Sequence, residues 1–368
     1  MIDRRLVQNF DWPLLGLILL IVGIGIINLY SAGYNNTPEG VTAVYVKQSY
    51  WLLVGLAVMF LMLVIDYRHL EKLAYPLYIL SIILLVGVMV AGKTVSGSKR
   101  WLALGPLSFQ PAELVKLALI LVLARHFHRL SPQGPLPFRD ILFPLALILI
   151  PAALIVKQPD LGSAILVTLV GGSMVLLVGV NLRTLLIGAI LLVTAIPVAW
   201  PFLKEYQRQR VRTFLNPEQD PLGAGYHIIQ SKIAVGSGQF WGKGFLSGTQ
   251  SQLHFLPEQH TDFVFSVFAE EWGFVGSAAL VFLYLGLALW GLVIARNCKE
   301  RFGQLLALGV TALLFWQVFI NLCMVTGLMP VVGIPLPLFS YGGSSLITTM
   351  LALGLLLNLR MRRFLVGG

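Results

Sequence analysis

Asp262 closes the polar run Phe255-Leu-Pro-Glu-Gln-His-Thr-Asp262, and an apolar stretch begins immediately after it. A carboxylate held where water meets membrane, behind a loop rich in Arg and Lys, suits chemistry on a phosphorylated lipid. The acid takes a proton, and the cations meet phosphate oxygens. Its plainer reading is an acidic first-turn residue favoured by the dipole of the following helix. Glu258, His260 and Asp262 together also offer ligands to a hard divalent cation, Mg2+ or Mn2+, although the spacing matches no known metal signature.

Two further acids open apolar segments. Gln110-Pro-Ala-Glu113 is followed by Lys116, and Gln158-Pro-Asp160 by Leu-Gly-Ser. Helix capping and an i,i+3 ion pair between Glu113 and Lys116 account for them in structural terms. Alternatively, because ionisable groups inside a span are costly and face a cavity or a partner, Glu113 and Lys116 line a polar pocket, and Asp160 takes part in catalysis. Tyr206-Gln-Arg-Gln-Arg-Val-Arg212 is either a headgroup-binding strip or a pyrophosphate clamp, with Arg208 and Arg210 supplying bidentate donors. Lys232, on a short amphipathic stretch closed by glycines, contacts phosphate or snorkels.

The elements that position these residues are membrane spans. Hydrophobic residues make up 57% of the 368 and charged ones 11%, with a mean hydropathy of +0.83. A soluble domain carries about 25% charge, so this composition identifies a polytopic membrane protein. The net charge of +10 then reports topology and anionic lipid rather than nucleic acid. Two cysteines, Cys298 and Cys323, support neither a disulfide framework nor a Cys-based metal site. No cleavable signal peptide is evident, since Pro13 to Ser31 is long enough to span.

A span needs about 20 apolar residues. Charge-free runs are Pro13 to Ser31, Gln48 to Ile65, Leu73 to Gly92, Leu161 to Leu182, Thr184 to Leu203 and Trp272 to Ala295. Ile141 to Val156 and Ala112 to Ala124 add two. The uncharged stretch between Arg301 and Arg360 holds two more around the Pro-rich segment 329–343. Ten spans, all α-helical, are expected in a single membrane domain over 1–368. With the N-terminus cytoplasmic, more than half of the 26 Lys and Arg residues, Arg4 and Arg5 among them, fall inside. The large loop from Lys204 to Asp262 is then extracytoplasmic. An unbroken helix from Asp262 to Ala295 would be about 50 Å long against about 30 Å of hydrocarbon, so part of it should rise above the membrane or break.

Long ordered motifs carry a resemblance over nearly the whole chain: Gly97 to Lys116 including Gly105, Gln158 to Gly162, Tyr206 to Arg212, Asp220 to Ala234, Gly248-Thr-Gln-Ser-Gln-Leu253, Leu256-Pro257-Glu-Gln-His-Thr-Asp-Phe263 and Pro330 to Ser345. On these the chain resembles the SEDS family (shape, elongation, division and sporulation), whose fold has ten spans. The resemblance implies a peptidoglycan glycosyltransferase that polymerises lipid II on the outer face of the bacterial inner membrane and releases undecaprenyl pyrophosphate. It implies that Asp262 is the catalytic residue and that Glu113, Lys116 and Asp160 lie in or near the functional cavity. Arg208, Arg210, Lys232, His260 and Ser344 carry over as substrate-contacting positions. Division relatives have Trp-Pro-Glu where this chain has Leu256-Pro257-Glu258, which favours the elongation branch. The implied partner is a class B penicillin-binding protein, a transpeptidase, within the elongation machinery.

Asp262 is expected to remove the acceptor hydroxyl proton, directly or by holding a divalent ion; no organic cofactor is called for. A lipid II flippase is the alternative that helix breakers and intramembrane charges also suit. A scaffold whose loop activates another synthase is a third.

Overall fold

The computed structural model describes residues 8–34, 43–95, 98–104, 107–130, 134–199, 201, 205–219, 224–253, 255–256 and 258–363. Arg4, Arg5, Lys204 and the motif residues Gly97, Gly105, Asp220 and Pro257 lie outside them. In chain order the long helices are α1 (Trp12–Gly33), α2 (Val44–Val64), α3 (Tyr67–Ala91), α4 (Pro111–Leu130), α5 (Phe138–Lys157), α6 (Leu161–Val178) and α7 (Leu182–Ala199). The loop follows with α8 (Glu205–Leu215), α9 (Ala224–Ser237) and the single turn α10 (Thr249–Gln252). Helices α11 (Val264–Asn297), α12 (Arg301–Val325) and α13 (Gly343–Arg362) complete the fold.

Among the described residues, 8 helices are long and apolar enough to cross a membrane. With α4 and α7 they make ten long helices among the described residues, one for each expected run, eight of which meet length and apolarity together. Helix α4 falls short because Glu113, Lys116, Arg125 and Arg129 punctuate it. It is nonetheless deeply enclosed: Leu119, Ile120, Val122, Leu123 and Phe127 are 0% exposed, and α3, α5, α6, α12 and α13 surround it. Glu113 and Lys116 are buried and therefore face protein rather than lipid, the arrangement that makes them tolerable at membrane depth, while Arg129 at the other end is exposed.

Helix starts follow their caps. The Asp11 side chain accepts from Leu14 N at 3.2 Å at the head of α1, and Asp66 from Arg68 N at 3.0 Å at the head of α3. Each satisfies an orphan donor that would otherwise lack a partner.

The all-helical class holds, with one small sheet added to it. Lys93–Val95 (β1), Ser98–Leu104 (β2) and Leu107–Phe109 (β3) form an antiparallel sheet in the order β1-β2-β3. Leu102 pairs with Phe109 and Ala103 with Ser108. The run is too short to span and rich in Thr, Val, Trp and Leu, which suit a pleated strand. Strand β2 brings Arg100 and Trp101 toward the mouth of α4.

Helix α11 does not run straight. Gly273 breaks it with φ 63° and ψ −159°, and the loop heals the break. Lys243 N and Gly244 N donate to the carbonyls of Glu270 and Glu271, both at 3.0 Å, while Phe274 N and Val275 N donate to Gln239 O (2.9 Å) and Phe240 O (3.2 Å). Orphan groups on both sides of the kink thereby gain partners, as backbone at a membrane boundary requires. Gly242 fits because its φ is +82° and because a Cβ there would collide with the Glu271 carbonyl.

Between α12 and α13 the Pro-rich segment 329–342 is irregular. Pro330, Pro335 and Pro337 forbid a helix and remove donors, so its carbonyls must be met from elsewhere. Tyr284 Oη donates to Pro337 O at 2.7 Å, Gln48 Nε2 to Ser340 O at 3.0 Å, and Asn321 Nδ2 to Ile334 O at 2.8 Å. At the opposite end of the molecule Arg360 pairs with Asp11 at 3.2 Å, Arg362 with Asp66 at 3.3 Å and Arg68 with Glu300 at 2.7 Å, closing the bundle away from Asp262.

Candidate active site

Asp262 sits in the turn before α11, with Phe263 at the N-cap and Val264 as the first helical residue. Asp262 is not in the first turn: it precedes the N-cap, and no side chain caps α11. Cross-links fix the turn instead. Ser340 Oγ donates to Thr261 O at 2.6 Å, Tyr341 N to His260 O at 2.8 Å and Asn321 Nδ2 to Asp262 O at 3.0 Å.

The half-buried carboxylate is a wall of two cavities. The larger, of about 190 Å³, is lined by Arg100 and Trp101 of β2, Gln110, Glu113 and Lys116 at the mouth of α4, Asp160 and Ser163 of α6, Gln317 of α12, and Gly333, Tyr341, Ser344 and Ser345 beyond it. The smaller, of about 160 Å³, is lined by Arg210 and Thr213 of α8, His227 and Ile228 of α9, and Glu258, Phe263 and Val331. One oxygen acid thus faces both chambers.

Glu113 and Lys116 form an ion pair at 2.7 Å and are 4% and 3% exposed, while Glu113 Oε2 is buried without a hydrogen-bond partner. The i,i+3 pairing and the pocket-lining reading describe the same two residues. Asp160 likewise does both. It caps α6 by accepting from Ser163 N (3.1 Å) and Ser163 Oγ (2.9 Å), accepts from Gln110 Nε2 at 3.1 Å, and has Arg100 4.0 Å away. Arg100 also donates to the Pro159 and Gln158 carbonyls, so its guanidinium is already oriented. A Cβ at Gly162 would collide with the Val332 carbonyl, which is how closely the head of α6 meets the Pro-rich wall.

Burial chiefly, with Glu258 and Asp160 and against Arg210 and Arg100, raises the Asp262 carboxyl to about 6. Burial is the larger influence. A carboxylate so placed is mostly ionised at neutral pH yet is a stronger base than a free aspartate.

The sequence-derived residues divide by location. Asp262, Glu113, Lys116, Asp160 and Ser344 gather at the larger cavity, and Arg210 at the smaller. Three do not line either. Arg208 turns toward Glu205 at 3.8 Å and donates to Pro201 O at 2.7 Å. Lys232 is exposed and lies over Gly327. His260 contributes its carbonyl to the turn, and burial holds its imidazole below the usual histidine range. Gln317 and His227 had gone unremarked. A polar residue in the apolar run Arg301–Val325 is itself a signal for Gln317, whereas His227 is visible only once α9 packs on α11, its ring stacked 6.1 Å from Phe263. Among the described residues no group of three or more His, Cys, Asp or Glu is assembled to hold a metal ion, so the set Glu258, His260 and Asp262 does not form a ligand cluster.

Residues 12–364 match the family model of the cell cycle protein FTSW_RODA_SPOVE. The peptidoglycan glycosyltransferase MrdB of Escherichia coli K12 is 48% identical over 311 residues, 84% of each chain. The peptidoglycan glycosyltransferase RodA of Treponema pallidum is 34% identical over 98% of this chain and 99% of its own. Among solved structures, a chain of a peptidoglycan synthase complex that coordinates polymerization and crosslinking superposes with a TM-score of 0.83 at 39% identity, covering 96% of this chain and 98% of that one. The rod shape determining protein RodA of Thermus thermophilus superposes with a TM-score of 0.72 at 35% identity and the same coverage. The chain therefore belongs to the FtsW, RodA and SpoVE family, the SEDS proteins, and sides with its RodA (MrdB) members.

Proposed function

We propose that Asp262 is the base with which this multi-pass membrane protein, a peptidoglycan glycosyltransferase by its family and its relatives, extends glycan strands from lipid II. The observation that carries the reading is the placement of one carboxylate on the wall between two polar chambers, each bordered by a cation that faces it.

The acceptor sugar hydroxyl attacks the anomeric carbon of the donor. A new glycosidic C–O bond forms with inversion, the bond to the lipid pyrophosphate breaks, and the pyrophosphate leaves with the electron pair. The hydroxyl proton goes to the Asp262 carboxylate, a contribution typically of about 10²- to 10⁴-fold. Arg210 and Arg100 offset charge on the departing pyrophosphate from the two sides, as fixed cations do best in a partly dehydrated site. Glu113, Lys116, Asp160 and Ser344 border the space for sugar and phosphate in the larger chamber. Asp262 and Asp160, which line the same cavity, would hold a divalent cation, Mg2+ or Mn2+, and it would there neutralise phosphate charge.

The site faces the outside of the bacterial inner membrane, and the partner is a class B penicillin-binding protein that cross-links the new strands. Chain growth and lipid movement are separable: purified protein in vesicles should turn fluorescent lipid II into polymer, and loss of Asp262 should stop polymer formation. Lipid II crossing the bilayer with no polymer formed by the native chain would favour transport and reject the proposal.

A further inference from the structure

Asp262 has no regular secondary structure to hold it, since helix α11 begins two residues later. One buried amide takes over that task. Asn321, 0% exposed on the continuous helix α12, donates from Nδ2 both to Asp262 O at 3.0 Å and to Ile334 O at 2.8 Å. Those two bonds use both amide hydrogens. They tie two irregular segments to a single point on a rigid helix: the turn that bears the acid and the Pro-rich wall of the larger cavity. The separation they fix is tight, because a Cβ on Gly333, next to Ile334, would lie 3.4 Å from Asp262 Oδ2.

We propose that Asn321 is a positioning residue for the transfer reaction, acting through the Asp262 backbone to set the distance between the carboxylate and the wall against which the sugar binds. The inference rests on the reading of Asp262 as the base. Without Asn321 two carbonyls in a buried setting lose their donor, and the turn and the wall move apart. The carboxylate then shifts relative to the groups that set its charge environment: Glu258 beside it, Arg210 on α8, Asp160 at the head of α6 and Arg100 on β2.

A built-in control stands at the other end of the bundle. Asn358 is also 0% exposed and donates from Nδ2 to the carbonyls of Met62 (2.6 Å), Leu63 (3.3 Å) and Ile65 (2.6 Å), with no catalytic acid nearby. The full chain is purified as Asn321→Ala, Asn321→Ser, Asn358→Ala and Asp262→Asn. Thermal stability, kcat and KM for lipid II, and the pH dependence of kcat are measured for each. Asn321→Ala should lose roughly 10²-fold in kcat, the scale of an ångström-sized misplacement, with KM changed little and the acid limb of the profile displaced. Asn321→Ser, which keeps one donor, should fall between it and the native chain and serves if the alanine variant fails to fold. Asn358→Ala should lose stability while keeping the native limb and kcat. An Asn321 variant whose limb stays native and whose kcat falls no further than that of Asn358→Ala would overturn the inference alone. Native-rate polymerisation by Asp262→Asn would instead remove the base, and the reading beneath the inference with it.

Discussion

At the scale of single residues, the decisive feature is a carboxylate whose surroundings have been tuned in both directions. Asp262 is raised to about 6, by burial first and by Glu258 and Asp160, with Arg210 and Arg100 opposing. A base works only when ionised, so activity should fall about tenfold per pH unit below about 6. Glu258→Gln removes a raising influence and should carry that limb to lower pH; Arg210→Gln removes a lowering one and should carry it higher. A pH profile of kcat/KM for the three proteins checks both signs, and limbs that coincide would refute the charge environment described. Asp262, Glu113, Lys116 and Asp160 were all legible in the sequence, because an acid or a cation at the edge of an apolar run has few cheap places to go. Arg208, Lys232 and His260 line neither cavity. A run of basic residues does not reveal which side of α8 faces the cavity, and only the packing of the loop separates Arg210 from Arg208.

At the scale of elements, the long loop is part of the scaffold through the backbone bonds that mend α11 at Gly273. The length of the apolar run foretold that this helix would rise or break, yet not where, since Gly273 is one of several glycines there. Its conformation, at φ 63° and ψ −159°, is open almost exclusively to glycine. Gly273→Ala should cost at least about 1–3 kcal/mol from the backbone alone, and its Cβ would also meet Phe240 O at 2.8 Å. Thermal unfolding of the purified variant measures this, and an unchanged melting temperature would show that the break is not needed. The small sheet β1-β2-β3 escaped the sequence reading altogether. Its strands of three, seven and three residues are too short for alternation to stand out beside helical spans, although they deliver Arg100 to the cavity.

At the scale of the whole molecule, two ends of one bundle have different characters. One holds the loop, the two cavities and Asp262; the other holds the ion pairs of Asp11, Asp66 and Glu300 with Arg360, Arg362 and Arg68. The polytopic class was readable from composition; the hardest span to read was α4, which buries Glu113 and Lys116 inside the protein instead of excluding charge. The proposed orientation makes a direct prediction. With Cys298 and Cys323 replaced by Ser, a cysteine introduced at Glu218 in the loop should react with an impermeant maleimide in cells whose outer membrane alone is opened, and one at Lys299 only after the inner membrane is breached; the reverse pattern would place the site in the cytosol. The most direct test of catalysis itself is the rate of glycan polymerisation from lipid II by the purified full chain and by Asp262→Asn, compared at the same folded concentration. The substitution should lower the rate by about 10²- to 10⁴-fold, whereas polymer formed at the native rate would contradict the assignment of that carboxylate as the base.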